Sequence, residues 1–181
     1  EVTYVDPTDT DLIKQSIKSN TRFVFVETIG NPKLDIPDIT AIHKLTQKAN
    51  IPLVVDSTVT TPYLFDPHKF GGDILLYATT KYMSGSGTTV GGVIVDMGTF
   101  SWKKFSGKSV SKFSETLGDY AFIAMARKVR SNLGCNLSPF NAFLTSLGLD
   151  TLSLRMEKHC SNAATIATAL SKINSIDSVN Y

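Results

Sequence analysis

The chain has 181 residues, 42% of them apolar, which at roughly 150 residues per domain is one domain core and part of another; disorder is excluded. Eighteen basic against 16 acidic residues leave a formal charge of +2, and no Lys/Arg run exceeds two, so neither nucleic acid nor an anionic membrane is expected as a partner. The longest charge-free stretch, Ser131 to Leu149, has the length of a membrane span but contains Asn132, Asn136, Ser138, Pro139 and Asn141, each costly in hydrocarbon.

Residue 1 is Glu, followed at once by strand-like Val2-Thr3-Tyr4-Val5, so the chain is expected to begin inside a larger gene product. Asp9 then caps a predicted helix with Leu12, Ile13 and Ile17 on one face and Asn20 as its stop, and Arg22 to Glu27 reads as a buried strand. Asp38 opens a second helix with Ile39, Ile42, Leu45 and Ala49 at helical spacing, closed by Asn50 and Pro52; Leu53 to Asp56 is the next strand. Further strands are predicted over Ile74 to Tyr77 and Gly92 to Val95. After Trp102 the pattern becomes helical: Asp119 to Asn132 with Phe122, Ile123, Met125, Ala126 and Val129 inward, a helical turn from Pro139, and a long helix from about Leu149 to Ile173. Its stripe of Leu152, Met156, Cys160, Ala163, Ala167 and Leu170 wants a partner surface.

Strands apolar at every position need cover on both faces, so the fold class is α/β: a mostly parallel sheet with flanking helices. Residues 1–148 are assigned to that domain and 149–181 to a long helix leading toward a further, C-terminal domain. In open α/β sheets the ligand crevice lies beyond the carboxyl ends of the strands. Glu27, Asp56 and the group Thr79-Thr80-Lys81 all fall there.

Lys81 follows a buried strand and precedes Ser84-Gly85-Ser86-Gly87, a loop able to bring backbone N–H groups near an anion. A partly desolvated amine there suits Schiff-base chemistry; the alternative is a surface lysine in a glycine-rich turn. Because the lysine precedes the glycines, the segment is not a P-loop. Asp56 needs a cationic or hydrogen-bonding partner, and a pyridinium nitrogen would serve; alternatively it caps the turn through Ser57 and Thr58. Asn31 is either a turn residue or an amide that holds a carboxylate or phenolate oxygen. His43, His68 and His159 have no metal-ligand spacing and read as structural or solvated, so no metal site is assigned. Cys135 and Cys160 form neither a CxxC pair nor a disulfide framework, which suits a reducing cytosol. No Gly-x-Ser-x-Gly elbow and no GxGxxG after a strand support a hydrolase or a nicotinamide enzyme.

The segments Glu27-Thr28-Ile29-Gly30-Asn31-Pro32, Pro52 to Thr58 with Thr61-Pro62-Tyr63, Asp73-Ile74 leading to Thr80-Lys81-Tyr82, and Gly91 to Ile94 together resemble the Cys/Met-metabolism family of pyridoxal-phosphate (PLP) enzymes. Leu137 to Phe143, Gly148-Leu149 and Leu154 to His159 look most like its O-acetylhomoserine sulfhydrylase branch. The resemblance implies the large-domain fold of the aspartate aminotransferase type (fold type I) and PLP as cofactor. It implies γ-replacement that makes homocysteine from O-acetylhomoserine and sulfide, or, within the same class, cystathionine γ-synthase or γ-lyase chemistry. It also implies a cytoplasmic homo-oligomer, a dimer of dimers, whose partner subunit completes the site.

By position, Lys81 matches the Schiff-base lysine that later moves the α-proton, and Asp56 the carboxylate that keeps the pyridine nitrogen protonated. Thr80 matches a phosphate-binding hydroxyl, Thr58 lies beside the ring, and Asn31 matches the amide near the cofactor phenolate and substrate carboxylate. Two positions depart from the family. Ala78 stands where a serine is usual, with Thr79 beside it, and Gly85-Ser86-Gly87 replaces Gly-His-Gly. The family's phosphate loop and stacking tyrosine precede the point matching Glu1, and its carboxylate-binding arginine follows Tyr181. These 181 residues alone are therefore expected to bind PLP weakly without useful turnover. A non-catalytic fragment that keeps the fold is the reading from another class.

Overall fold

The computed structural model describes residues 1–105 and 107–181. Four strands form one sheet in the order β1 (Val24–Glu27), β2 (Leu53–Asp56), β3 (Ile74–Ala78), β4 (Gly92–Asp96). The first three run parallel and β4 is antiparallel to β3, which is the mostly parallel sheet expected. Register places Glu27 opposite Asp56, and Asp56 opposite Leu76, so β1 and β2 finish level and β3 runs two residues further, to Ala78.

Side chains alternate across the pleat, and each face has its own core. On one face Val26, Leu53, Val55, Leu75 and Tyr77 pack with Ile13 of α1 (Thr10–Ser16) and with Ile39 and Ile42 of α2 (Ile39–Lys48). On the other, Ile74, Val54 and Leu76 meet Phe100, Trp102, Val110 and Ala121. Trp102 is the centre of this second core, stacked on Phe122 at 4.8 Å and edge-on to Phe100 at 4.9 Å. Its cover comes from α5 (Lys108–Leu117) and α6 (Ala121–Leu133); α5 has no counterpart among the predicted elements.

Both predicted caps on the first two helices form. Asp9 Oδ1 accepts from the Leu12 N–H at 2.8 Å and Asp38 Oδ1 from the Ala41 N–H at 2.9 Å, each contributing about 1 kcal/mol. α1 stops at Ser16, short of Asn20, because Ile17 is already extended. The Val2–Val5 segment pairs with no strand among the described residues, and β1, an edge strand, leaves Phe25 about half exposed (49%). Cover on both faces therefore holds for the two central strands and fails at β1, where α5 and α6 do not reach. On α6, Phe122 and Met125 pack inward as expected, whereas Ile123 and Val129 are exposed.

The turn predicted at Pro139 is a full helix, α7 (Pro139–Leu149), capped by Ser138. α8 spans Leu152–Leu170; of its stripe Leu152 and Met156 are buried, Cys160 and Ala167 are partly covered, and Ala163 and Leu170 are exposed. No helix among those residues is long and apolar enough to cross a membrane.

Candidate active site

A cavity of about 720 Å³ opens at the carboxyl ends of β1, β2 and β3. Glu27, Asn31, Asp56, Thr58 and Lys81 all line it, so four of the five predicted site residues are brought together from three separate segments. The fifth, Thr80, is not among the lining residues. Its Oγ1 accepts from the Gly91 N–H at 3.1 Å and ties the end of β3 to the approach of β4.

Each wall has a local cause. The sheet pairing continues past the strand ends: Thr28 N–H donates to Asp56 O and Ser57 N–H to Leu76 O, both at 2.9 Å. Asp56 Oδ1 accepts from the Thr58 N–H at 2.9 Å, which is the turn-capping alternative, and no hydrogen bond reaches its Oδ2 among the described residues. The Thr58 hydroxyl in turn accepts from the Ala78 N–H at 2.8 Å and locks the end of β2 to the end of β3. Glu27 Oε2 accepts from the Asn31 N–H at 2.8 Å, which folds the loop after β1 over its own strand. Behind these groups the hydroxyls of Thr28, Thr60 and Ser57 form a chain with 2.8 Å links.

Lys81 starts a helical turn: Gly85 N–H donates to Lys81 O at 2.9 Å and Ser84 N–H to Thr79 O at 3.0 Å. The desolvation expected for this lysine is not found. Its side chain is exposed: the turn carries it off the sheet into a cavity walled beyond it by the loop after β1 and by α8. Thr79 points to the opposite face, 1% exposed and with no partner for its hydroxyl, so it does not supply the hydroxyl that Ala78 lacks. Ala78 itself lines the cavity.

Arg155 and His159, one turn apart on α8, and Tyr82 complete the wall. These were not singled out as site residues by the sequence; the spacing of four that puts Arg155 and His159 on one helix face was the available signal. His159 is exposed, as read, but it also faces the cavity and meets the Tyr82 ring edge-on at 5.3 Å. α8 is anchored again at Tyr63, whose hydroxyl donates to Glu157 Oε1 at 2.6 Å. That bond to a carboxylate holds the phenol above its ordinary range.

The donor set bears on PLP directly. An amine from β3's end and a carboxylate with an oxygen left over from β2's end share one cavity, which fits the ring and aldehyde of that cofactor. The phosphate end fits less well, since no hydroxyl from residues 78–80 reaches the cavity.

Known proteins of similar sequence and structure point to the same cofactor. The chain is 40% identical over 199 residues to O-acetyl-L-homoserine sulfhydrylase of Leptospira meyeri, a match that takes in all of the chain and 45% of that protein. A solved structure described as the O-acetylhomoserine sulfhydrylase of the methionine pathway of Wolinella succinogenes superposes with a TM-score of 0.89 at 43% identity, over the whole chain and 51% of that structure. A putative O-acetylhomoserine (thiol)-lyase from Campylobacter jejuni, solved with N'-pyridoxyl-lysine-5'-monophosphate, superposes at 0.79 with 31% identity over 97% of the chain and 46% of its own. The chain thus spans about half the length of the relatives it matches. The description Cys/Met metabolism PLP-dependent enzyme matches residues 1–181, and the chain belongs to that family, with its fold type I architecture.

Proposed function

We propose that this chain carries the PLP centre of a γ-replacement enzyme that makes homocysteine from O-acetylhomoserine and sulfide, working as a cytoplasmic dimer of dimers on a small amino-acid substrate. The observation that carries the reading is the meeting of Lys81 and Asp56 in one cavity at the ends of adjacent strands. The names of the relatives support O-acetylhomoserine as the substrate, and the sulfur-transfer activity they carry is what makes sulfide the donor in this reading.

When bound, PLP supplies an electron sink for charge that builds on the substrate α-carbon. Lys81 Nζ is the group that ties the cofactor and then takes and returns the proton at Cα and Cβ. Asp56, through the oxygen not occupied by Thr58, keeps a proton on the ring nitrogen. Thr58 would lie beside the ring, its hydroxyl fixed by the Ala78 N–H so that it keeps one orientation. Asn31 holds the phenolate or the substrate carboxylate from the loop after β1. Thr80, read from the sequence as a phosphate ligand, accepts from the Gly91 N–H and braces the approach to β4.

Borohydride reduction after incubation with PLP, followed by peptide mapping, tests the assignment. The label is expected on Lys81 in the wild type and absent in Lys81→Ala, with loss of the visible absorbance of bound cofactor; the same coloured species in both proteins defeats it. Turnover of O-acetylhomoserine with sulfide by the full-length protein, set against cystathionine, separates the γ-replacement reading from γ-synthase or γ-lyase chemistry. Cleavage of cystathionine alone would reverse the choice. The second reading, a non-catalytic domain, is favoured by Ala78 and by the Thr79 and Thr80 hydroxyls lying outside the cavity. It predicts no labelled lysine at all.

A further inference from the structure

We propose that Arg155 is a positioning residue for Lys81: from α8 it fixes the backbone turn that aims the lysine into the cavity. Arg155 is half-buried and lines the cavity, yet four of its five N–H donors are already committed. Nη1 donates to Tyr82 O at 2.6 Å, Nη2 to Gly148 O at 2.6 Å and to Met83 O at 3.4 Å, and Nε to Thr151 Oγ1 at 3.1 Å. Two of those carbonyls belong to the residues immediately after Lys81. A guanidinium held this way has one donor left, so it is not a bidentate anchor for a substrate carboxylate. Its planar fork ties α8 to two segments that lie 73 and 7 residues away in sequence, which an ammonium group with the same charge cannot reproduce.

The backbone around it is shaped to admit the guanidinium. Gly85 has φ +73°, and a Cβ there would lie 2.5 Å from the Arg155 guanidinium carbon. Gly148 packs against the Met83 and Ser84 carbonyls, where a Cβ would clash. His159, a turn further along α8, holds the ring of Tyr82 while Arg155 holds its carbonyl. The residue next to Lys81 is thereby clamped at both ends.

The inference rests on the reading of Lys81 as the cofactor lysine, and the experiment separates the two. PLP affinity and the visible circular dichroism per bound cofactor are measured for the wild type, Arg155→Lys, Gly85→Ala, both together, and Tyr63→Phe, which loosens α8 at its other anchor. Arg155→Lys and Gly85→Ala are each expected to weaken PLP binding roughly tenfold, the scale of one lost charge-assisted bond, and to change the dichroism per bound cofactor. The double variant should be no worse than the poorer single one, since both act on one contact. Tyr63→Phe should match the wild type in both readouts. Wild-type behaviour of Arg155→Lys, or an equal change in Tyr63→Phe, overturns the proposal. If Arg155→Lys does not fold, Thr151→Val removes only the Nε acceptor and should change the dichroism in the same sense; no change there overturns it equally. Lys81→Ala that keeps the wild-type dichroism sinks the cofactor reading instead.

Discussion

Two aspartates stand at opposite ends of the same sheet, and their surroundings assign them opposite work. Asp73, just before β3, is fully buried with every oxygen engaged: Oδ2 accepts from the Leu53 N–H at 2.9 Å, and Oδ1 meets the Thr99 hydroxyl at 2.8 Å and His43 Nε2 at 3.2 Å. Burial pushes its carboxyl upward, but the bonds from His43, Leu53 and Thr99 outweigh burial and hold it below the ordinary carboxylate value. Asp56, at the far end of β2, is partly exposed, carries one bond from its own turn and faces an open cavity. A satisfied carboxylate is architecture. One with an oxygen to spare beside a lysine is equipment for a ligand.

Substitution is the sharpest way to break that contrast. Asp73→Ala leaves the buried Leu53 N–H, the Thr99 hydroxyl and His43 without their acceptor and is expected to cost about 3–5 kcal/mol in urea unfolding. Asp56→Asn is expected to leave the unfolding midpoint close to the wild type while lowering turnover of the cofactor-loaded enzyme by about 10²–10³-fold, the scale for a lost electrostatic stabiliser. If instead Asp56→Asn unfolds the chain and Asp73→Ala does not, the division of labour is wrong.

Acid offers a gentler probe. Because Asp73 is held below its unfolded value, its contribution is present above about pH 4 and is lost as pH falls through the depressed folded value. Stability measured from pH 6 down to pH 3 should therefore decline more steeply in wild type than in Asp73→Asn. Smallest of all is a third aspartate, the α2 cap. Asp38→Ala should cost about 1 kcal/mol with no change in cofactor binding, which calibrates what an exposed side-chain bond to backbone contributes here.

The sequence showed Asp56 and hid Asp73's role for a physical reason. A carboxylate at the end of an apolar run announces itself, since position relative to a strand is a local property. The value of Asp73 comes from Leu53, His43 and Thr99, which are 20, 30 and 26 residues away. Likewise Lys81 was legible as a residue just past the third strand, but its exposure was not. Thr80 was legible as a hydroxyl at the right step in the chain, while its pairing with Gly91 depended on where β4 returns. Arg155 was legible as part of the Leu154 to His159 segment and by its spacing from His159, but its bonds to the carbonyls of Tyr82 and Met83 depended on where α8 returns.

What the amino-acid order determined unaided was set by short-range rules: caps at Asp9 and Asp38, the two apolar strands β2 and β3, and the polar residues that follow them. Sequence spacing also grouped the motifs that mark the family. Tertiary structure decided which of those polar groups meet, which face each strand-end hydroxyl takes, and that α8 returns to hold the lysine turn. Those outcomes depend on register and on contacts between distant segments, where a shift of one residue moves a side chain to the other side of the sheet.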